Sequence, residues 1–411
     1  MKLKSPSKVF TVLCLSLLSA LPGNSQESPS EQANFELGSG LSFQFNEGDY
    51  SFNLGGMIQP NFGFINDGEA DTDYILNARR TYLNFGGEAV KEKVDFFIQL
   101  DFSLNEPLLD AWVAYHPIKN ISIAVGQKQT IANNREMLFM EDQLQFADRT
   151  LLSTKFSGSG REFGLFVDAR FGSEKFVVMP RIAVTSGDGR NSFGADSRDV
   201  DFGGLKYAAR LDVYPFGEFS EGNEKCVPDL MGEESPKILL GAAASFNDGA
   251  SGIAGEGHGD FIIFNAVGLP QLPDYRQLYG DILVKYRGFS LLGEYAVATA
   301  TSLESTFVDP TALNPLVPTE ISEYLMLGTG FNGTLGYVSS TGYGIDASYT
   351  QVAPEFEFNP SSILTELSAV TIGLSKYMKG NALKIQASIS QITDQSDNKI
   401  TRGDLIFQLR F

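Results

Sequence analysis

Apolar and polar residues alternate along most of this chain in stretches of about ten residues. In YSFNLGGMIQPNFGF, Tyr50, Phe52, Leu54, Ile58, Phe62 and Phe64 share one side, and Asn53, Gln59 and Asn61 share the other. In VDFFIQLDFSL, Val94, Phe96, Ile98, Leu100, Phe102 and Leu104 oppose Asp95, Gln99, Asp101 and Ser103. ALKIQASI sets Leu383, Ile385, Ala387 and Ile389 against Lys384, Gln386 and Ser388. Successive side chains of a strand point to opposite faces, so a period of two predicts strands that are apolar on one face only. After the start of the chain, no stretch reaches the roughly 18 consecutive apolar residues of a membrane-crossing helix.

Reading the whole chain this way predicts sixteen strands, near 50–64, 74–86, 93–104, 108–117, 120–128, 161–172, 175–186, 203–216, 236–247, 276–287, 289–298, 321–332, 341–352, 366–378, 382–392 and 403–411. Their connections alternate in length. Long ones (129–160, 187–202, 248–275, 299–320 and 353–365) follow odd segments, and short ones (87–92, 118–119, 173–174, 288 and 379–381) follow even segments. The stretch 217–235 breaks that rule. Short turns at one end and long loops at the other are the pattern of an outer-membrane β-barrel. The expected fold class is therefore all-β, a transmembrane antiparallel barrel over 49–411, with a short periplasmic segment at 26–48 before it. A secreted β-sandwich also has alternating strands, but it needs neither this regular alternation of loop length nor the unusual end of the chain.

That end is DLIFQLRF, alternating to the last residue. Termini normally fray. In a closed barrel the last strand pairs with the first, and Phe411 is expected in the aromatic girdle at the membrane interface, where a terminal aromatic acts as an assembly signal.

The start changes the compartment. Lys2, Lys4 and Lys8 precede the apolar run VLCLSLLSAL, and Gly23-Asn24-Ser25 follow it. This is the layout of a signal peptide, 1–25, cleaved after Ser25. Cys226 is then the one remaining cysteine, so no internal disulfide can form. The formal charge of −19 becomes −22 once Lys2, Lys4 and Lys8 leave with the signal. So acidic a chain is not expected to bind nucleic acid.

Several stretches resemble the phosphate-selective porin O/P family of outer-membrane channels. They are NARRTYLNFGG, KVDFFIQLDFS followed by LLDAWVAYHP, ISIAVGQKQT, FMEDQLQFADR, REFGLFV, AVTSGDGRN, KYAARLDVYP, LLGEYAV and AVTIGLSKYMKGNALKIQ, in that order over most of 50–411. The resemblance implies a sixteen-stranded barrel, usually a homotrimer. It also implies a third outer loop folded inward to narrow the pore, and an anion path lined by arginines and lysines. The chain departs from the family in its acidity. TGYGIDASYTQV, for example, offers Asp346, Ser348 and Thr350 where a basic residue would serve an anion.

Period two puts Arg80, Arg170, Arg181, Lys206, Arg210, Lys285 and Lys384 on the polar face. A ring of such cations attracts anions and releases them. The other reading is that they pair with inward acids such as Asp95, Asp101, Asp110, Asp168, Asp212, Asp281 and Glu294 and merely solvate the wall. Arg79 falls on the lipid side of a regular strand, where an Arg near the midplane costs about 2–4 kcal/mol. A β-bulge turning both arginines inward, or a subunit interface, is expected instead. The loop 129–160 is too apolar for disorder and is expected inside the barrel as the constriction, with Arg135, Glu141, Asp142 and Arg149 near its narrowest point.

NDGEADTD (66–73) and SGDGRNSFGADSRDVD (186–201) space carboxylates closely, as calcium sites do, but neither has the full EF-hand spacing. No metal or cofactor is expected. The two histidines are His116 and His258, and no HExxH, GxSxG, P-loop or CxxC motif occurs, so catalysis is not expected. The sequence reading is an outer-membrane porin passing small hydrophilic solutes, anions first, in contact with outer-membrane lipid and lipopolysaccharide. The alternative is a structural or adhesive barrel plugged by its loop.

Overall fold

The computed structural model describes residues 32–68, 72–190, 203–257, 259 and 261–411. The expected signal peptide, parts of both acidic loops and His258 lie outside the described residues.

A hairpin of β1 (Gln32–Glu36) and β2 (Gly40–Phe45) leads into the barrel. The wall begins with β3 (Tyr50–Asn66), β4 (Asp73–Val90), β5 (Val94–Asp101), β6 (Leu108–Ile118), β7 (Ile121–Gln129) and β8 (Arg161–Ala169). A short strand, β9 (Phe171–Ser173), continues the place of β8. Then come β10 (Phe176–Thr185), β11 (Lys206–Tyr214), β12 (Lys237–Asn247), β13 (Asp274–Tyr286) and β14 (Phe289–Thr301). The last five are β15 (Gly328–Val338), β16 (Tyr343–Pro354), β17 (Leu367–Lys379), β18 (Leu383–Asp394) and β19 (Lys399–Arg410). Counting β8 with β9, sixteen antiparallel strands form the wall, and β19 closes it on β3, with Leu405 opposite Phe62 and Arg410 opposite Met57. The hairpin extends the same sheet at the rim, where β2 pairs with β3 over Tyr50–Leu54.

The alternation reads as expected. Leu278, Phe331, Leu335, Ile345, Val370, Ile372 and Leu374 are exposed on the outer face, while Gln277, Asp281, Asn332, Thr334, Ser348 and Thr350 are buried inside. An apolar outer face with every interior strand edge paired suits hydrocarbon as solvent. At the short-turn rim, aromatic rings gather outside, with Phe289 and Tyr337 at 4.6 Å.

Two expectations need correction. The segment 321–332 is displaced, since β15 is Gly328–Val338. Ile321, Leu325, Met326 and Leu327 instead join an apolar cluster inside the outer end. Phe102 and Leu104 lie past the end of β5 at Asp101, not on its lipid face.

At the short-turn end, the connections between barrel strands span two to four residues, except 215–236 between β11 and β12. The lumen is not empty. Beside β12–β17 it is filled by the outer loops, whose Phe261, Ile263, Leu316 and Ile321 pack against Leu152 and Phe156. From the opposite end, Phe219 and Val227 of 215–236 join Val177, Tyr214, Leu239, Leu283 and Leu292.

Candidate functional site: the constricted lumen

The long connection between β7 and β8 folds into the barrel. Its ends are stapled where Asn133 Nδ2 donates to the Thr130 carbonyl (3.1 Å) and the Gly160 carbonyl (3.0 Å). Two short helices follow, α1 (Arg135–Leu138) and α2 (Leu151–Phe156). The Glu136 carboxylate accepts from the Thr150 amide (3.1 Å) and hydroxyl (2.7 Å), tying α1 to the start of α2. Glu294 of β14 accepts from the Glu136 amide at 2.8 Å and Asn134 Nδ2 at 2.9 Å.

The wall grips the loop from several sides. Lys384 Nζ donates to the Leu144 carbonyl at 2.9 Å, and Gln386 Nε2 to the Gln145 carbonyl at 2.8 Å. Gln408 Nε2 donates to the Asp142 carbonyl at 3.0 Å, and Arg410 Nη1 meets the Asp142 carboxylate at 2.6 Å. These are main-chain carbonyls of an irregular segment inside a barrel, where each would be costly to leave unpaired.

Three charged clusters organise the rest. In the first, Arg135 donates to Asp281 at 2.8 Å and pairs with Asp212, while Arg210 donates to Asp212 at 3.0 Å and pairs with Asp281. All four side chains are buried, and the two charges of each sign balance. Burial opposes the Arg135 charge, but Asp281 and Asp212 outweigh it and raise its pKa above the ordinary arginine value. In the second, Arg161 donates to Asp110 at 2.9 Å, to Gln99 at 3.2 Å and to Glu141 at 3.3 Å, and Arg149 reaches Glu141 at 3.1 Å. Burial pushes the Glu141 carboxyl up, yet the Arg161 and Arg149 guanidiniums prevail and hold it well below the usual carboxylate range.

The third cluster resolves the Arg79–Arg80 question. Gln59 pairs with Arg80 and Pro60 with Ala78, so Arg79 is a bulged extra residue in β4. The outward face switches across it: Tyr74 and Leu76 are exposed before it, Leu83 and Phe85 after it. Both arginines turn inward to Asp148, with Arg402 of β19 at 3.1 Å from the same carboxylate.

The remaining sequence-selected cations are also partnered. Arg170 pairs with Glu218 at the short-turn end. Arg181 stands 3.9 Å from Asp168 and 3.7 Å from Asp212. Lys206 Nζ is 2.6 Å from Glu162. Lys285 and Lys384 are fully buried, with their ammonium groups on main-chain and amide oxygens, so neither faces open water as the anion-path reading expected. A polar-face position is satisfied equally by water or by folded backbone, and period two does not distinguish them. Sequence reasoning missed Arg161, Arg402, Arg410, Gln59 and the Asp148 acceptor. Arg410 and Gln408 were legible on the polar side of FQLRF, and Asp148 lies in FMEDQLQFADR.

Open space remains beside β3–β8. An outer cavity of about 480 Å³ is lined by Arg79, Arg80, Arg149, Arg161 and Arg190 against Asp101, Glu141 and Asp148. An inner cavity of about 880 Å³ lies on the short-turn side, where Glu88, Asp95, Asp142, Glu218 and Glu224 meet Arg135, Arg181, Lys225 and Arg410. Tyr82 lines both cavities. Among the described residues no group of histidine, cysteine and carboxylate side chains is arranged to hold a metal ion.

The class these observations define is the sixteen-stranded outer-membrane barrel with an inward-folded loop. Solved structures agree on the fold. The chain is similar to the outer-membrane channel DcaP of Acinetobacter baumannii, with a TM-score of 0.55 and 12% identity over 90% of this chain and 99% of that one. It is similar to OmpF of Salmonella typhi in complex with daunomycin, with a TM-score of 0.51 and 11% identity over 90% and 100% of the two chains. It is also similar to OmpT of Vibrio cholerae in its trimer form, with a TM-score of 0.50 and 9% identity over 88% and 99%. No family model matches the chain, and no curated protein does.

Proposed function

We propose that this protein is a porin of the bacterial outer membrane, a water-filled channel for passive diffusion of small hydrophilic solutes. The observation that carries this reading is the pair of cavities along β3–β8, both with charged side chains in their lining and both bordered by Tyr82, beside a loop fastened by buried ion pairs. A firmly fastened loop narrows a channel at a constant width. The outer cavity carries five arginines against three carboxylates, which favours anions there. The likeness to the phosphate-selective porin O/P family points the same way, with phosphate as one such anion. Arg79, Arg80 and Arg181 are the lining cations of this reading. A homotrimer is part of it, since OmpT of Vibrio cholerae occurs as a trimer and this chain shares its fold.

The plugged-barrel alternative draws on the filled half of the lumen beside β12–β17. Recording from single molecules in planar bilayers separates the two. Steps of steady conductance, with a reversal potential shifted toward anions in a salt gradient, are expected. A silent membrane containing folded protein overturns the channel reading, and a shift toward cations overturns the anion preference.

A further inference from the structure

The connection 215–236 has no place in the loop-length pattern of the barrel. It rises from the short-turn end, yet Asn223, Cys226, Val227, Asp229 and Glu233 in it are buried. Its fold is held from within: Asn223 Nδ2 donates to Asp229 at 2.7 Å and to Glu233 at 2.8 Å, and the Ser220 amide donates to Glu233 at 2.7 Å. Two ties bind it to the β13–β14 turn. The Gly288 amide donates to Asp229 at 2.7 Å, and the Arg287 amide to the Glu233 carbonyl at 2.9 Å.

The third tie is Lys285. Its Nζ donates to the carbonyls of Cys226 at 2.8 Å, Pro228 at 3.2 Å and Asn223, and lies 4.9 Å from the centre of the Phe219 ring. A buried ammonium is tolerated when its donors are satisfied, and here one segment of chain satisfies them. Remove the ammonium, and three carbonyls of that segment lose a shared donor together, the Pro228 carbonyl alone keeping the Leu230 amide at 3.1 Å.

The segment also borders the conduit. Glu218, Glu224 and Lys225 line the inner cavity, and Phe219 and Val227 share an apolar cluster with Phe139 of the inward loop. The two intrusions thus meet inside the barrel, one from each end.

We propose that 215–236 is a second constriction element, docked from the periplasmic end and pinned by Lys285, which sets the size limit of the inner cavity. The proposal rests on the channel reading above. Lys285 then acts as a positioning residue for the pore, not as part of the anion path.

The chain carries its own reporter. Cys226 is the single cysteine beyond the signal region, and it is fully buried in the docked segment. Purified protein in liposomes is treated with a charged methanethiosulfonate, and sugar entry and single-channel conductance are measured alongside. Wild type should label slowly. Lys285→Met should label roughly tenfold faster or more, the factor carried by one lost charged hydrogen bond. Replacing 219–233 by a short Gly-Ser turn should raise conductance and admit larger neutral sugars. An unchanged labelling rate in Lys285→Met overturns the pin. A shortened variant that assembles with wild-type conductance and size limit overturns the constriction. If the shortened variant does not assemble, the labelling rate decides alone. Wild-type protein that labels as expected but never conducts defeats the channel reading and leaves the pin standing.

Discussion

Arg79 and Arg80 are neighbours on one strand, yet both side chains reach Asp148 on the inward loop. Adjacent residues of a regular strand cannot do this. The bulge that skips Arg79 in the pairing of β3 with β4 makes it possible, and it spares the membrane an outward guanidinium.

The Asp148 carboxylate therefore restrains two cations of the outer cavity, Arg79 and Arg80, together with Arg402. Asp148→Asn should raise the anion-to-cation permeability ratio, and Arg79→Ala should lower it. A unit charge roughly 8 Å from the ion in water changes each permeability about 2.4-fold, in opposite senses for anion and cation, so the ratio should move about sixfold for each substitution. Arg79 is the more exposed of the pair, 27% against 10%, so its removal should act more on permeation and that of Arg80 more on loop position. Reversal potentials in a salt gradient check both. If neither substitution moves the ratio at normal conductance, the cluster is structural only.

Arg161 joins Asp110, Gln99 and Glu141 with its side chain 6% exposed. Arg161→Ala leaves two carboxylates without this partner and should cost about 3–5 kcal/mol, as when one member of a buried ion pair is removed. The expected readout is loss of the folded band at a lower temperature in semi-native electrophoresis. Arg161→Lys should restore part of it, since an ammonium keeps the charge but not the fork of donors.

Glu141 gives the pH dependence a sign. Its carboxyl is held below the usual range in the folded protein, so its contribution is present above the unfolded value of roughly 4.3 and is lost as pH falls through the lower folded value. The part of the single-channel noise that depends on Glu141 should appear only below roughly pH 4.3. Glu141→Gln should show elevated noise at neutral pH. Wild-type noise at neutral pH in Glu141→Gln would contradict this assignment.

Phe411 exchanges both main-chain hydrogen bonds with Gly56, at 2.9 and 2.6 Å, and its ring occupies the space a side chain at 56 would need. Deleting Phe411 removes the last closing pair of the barrel, so assembly in the membrane should slow. Pulse-chase measurement of the heat-resistant form tests this. Assembly at the wild-type rate after deletion would mean that the terminus is not an assembly signal. Gly56→Leu should act in the same direction, since its Cβ would meet the Tyr82 carbonyl at 2.8 Å and the Phe411 ring at 3.1 Å.

The sequence by itself determined the wall of this protein. Alternation is a local property of each strand, and the choice between lipid and lumen is written residue by residue as apolar or polar. Fifteen of the sixteen segments, most of their turn and loop ends, and the closing strand at Leu405–Arg410 could therefore be read without a structure. The interior could not. One extra residue at Arg79 exists only in the pairing of two strands, so neither strand shows it alone. ISEYLML has the alternation of a strand, but its apolar side chains bury one another under the outer loops. Lys285 and Lys384 sit on the polar face, as their period requires, but polarity does not say whether an ammonium meets water or a cradle of carbonyls. Only the loop between β7 and β8 and the segment 215–236, arriving from opposite ends of the barrel, decide that. They do so because hydrogen-bond partners inside a lumen come from residues far apart in the chain.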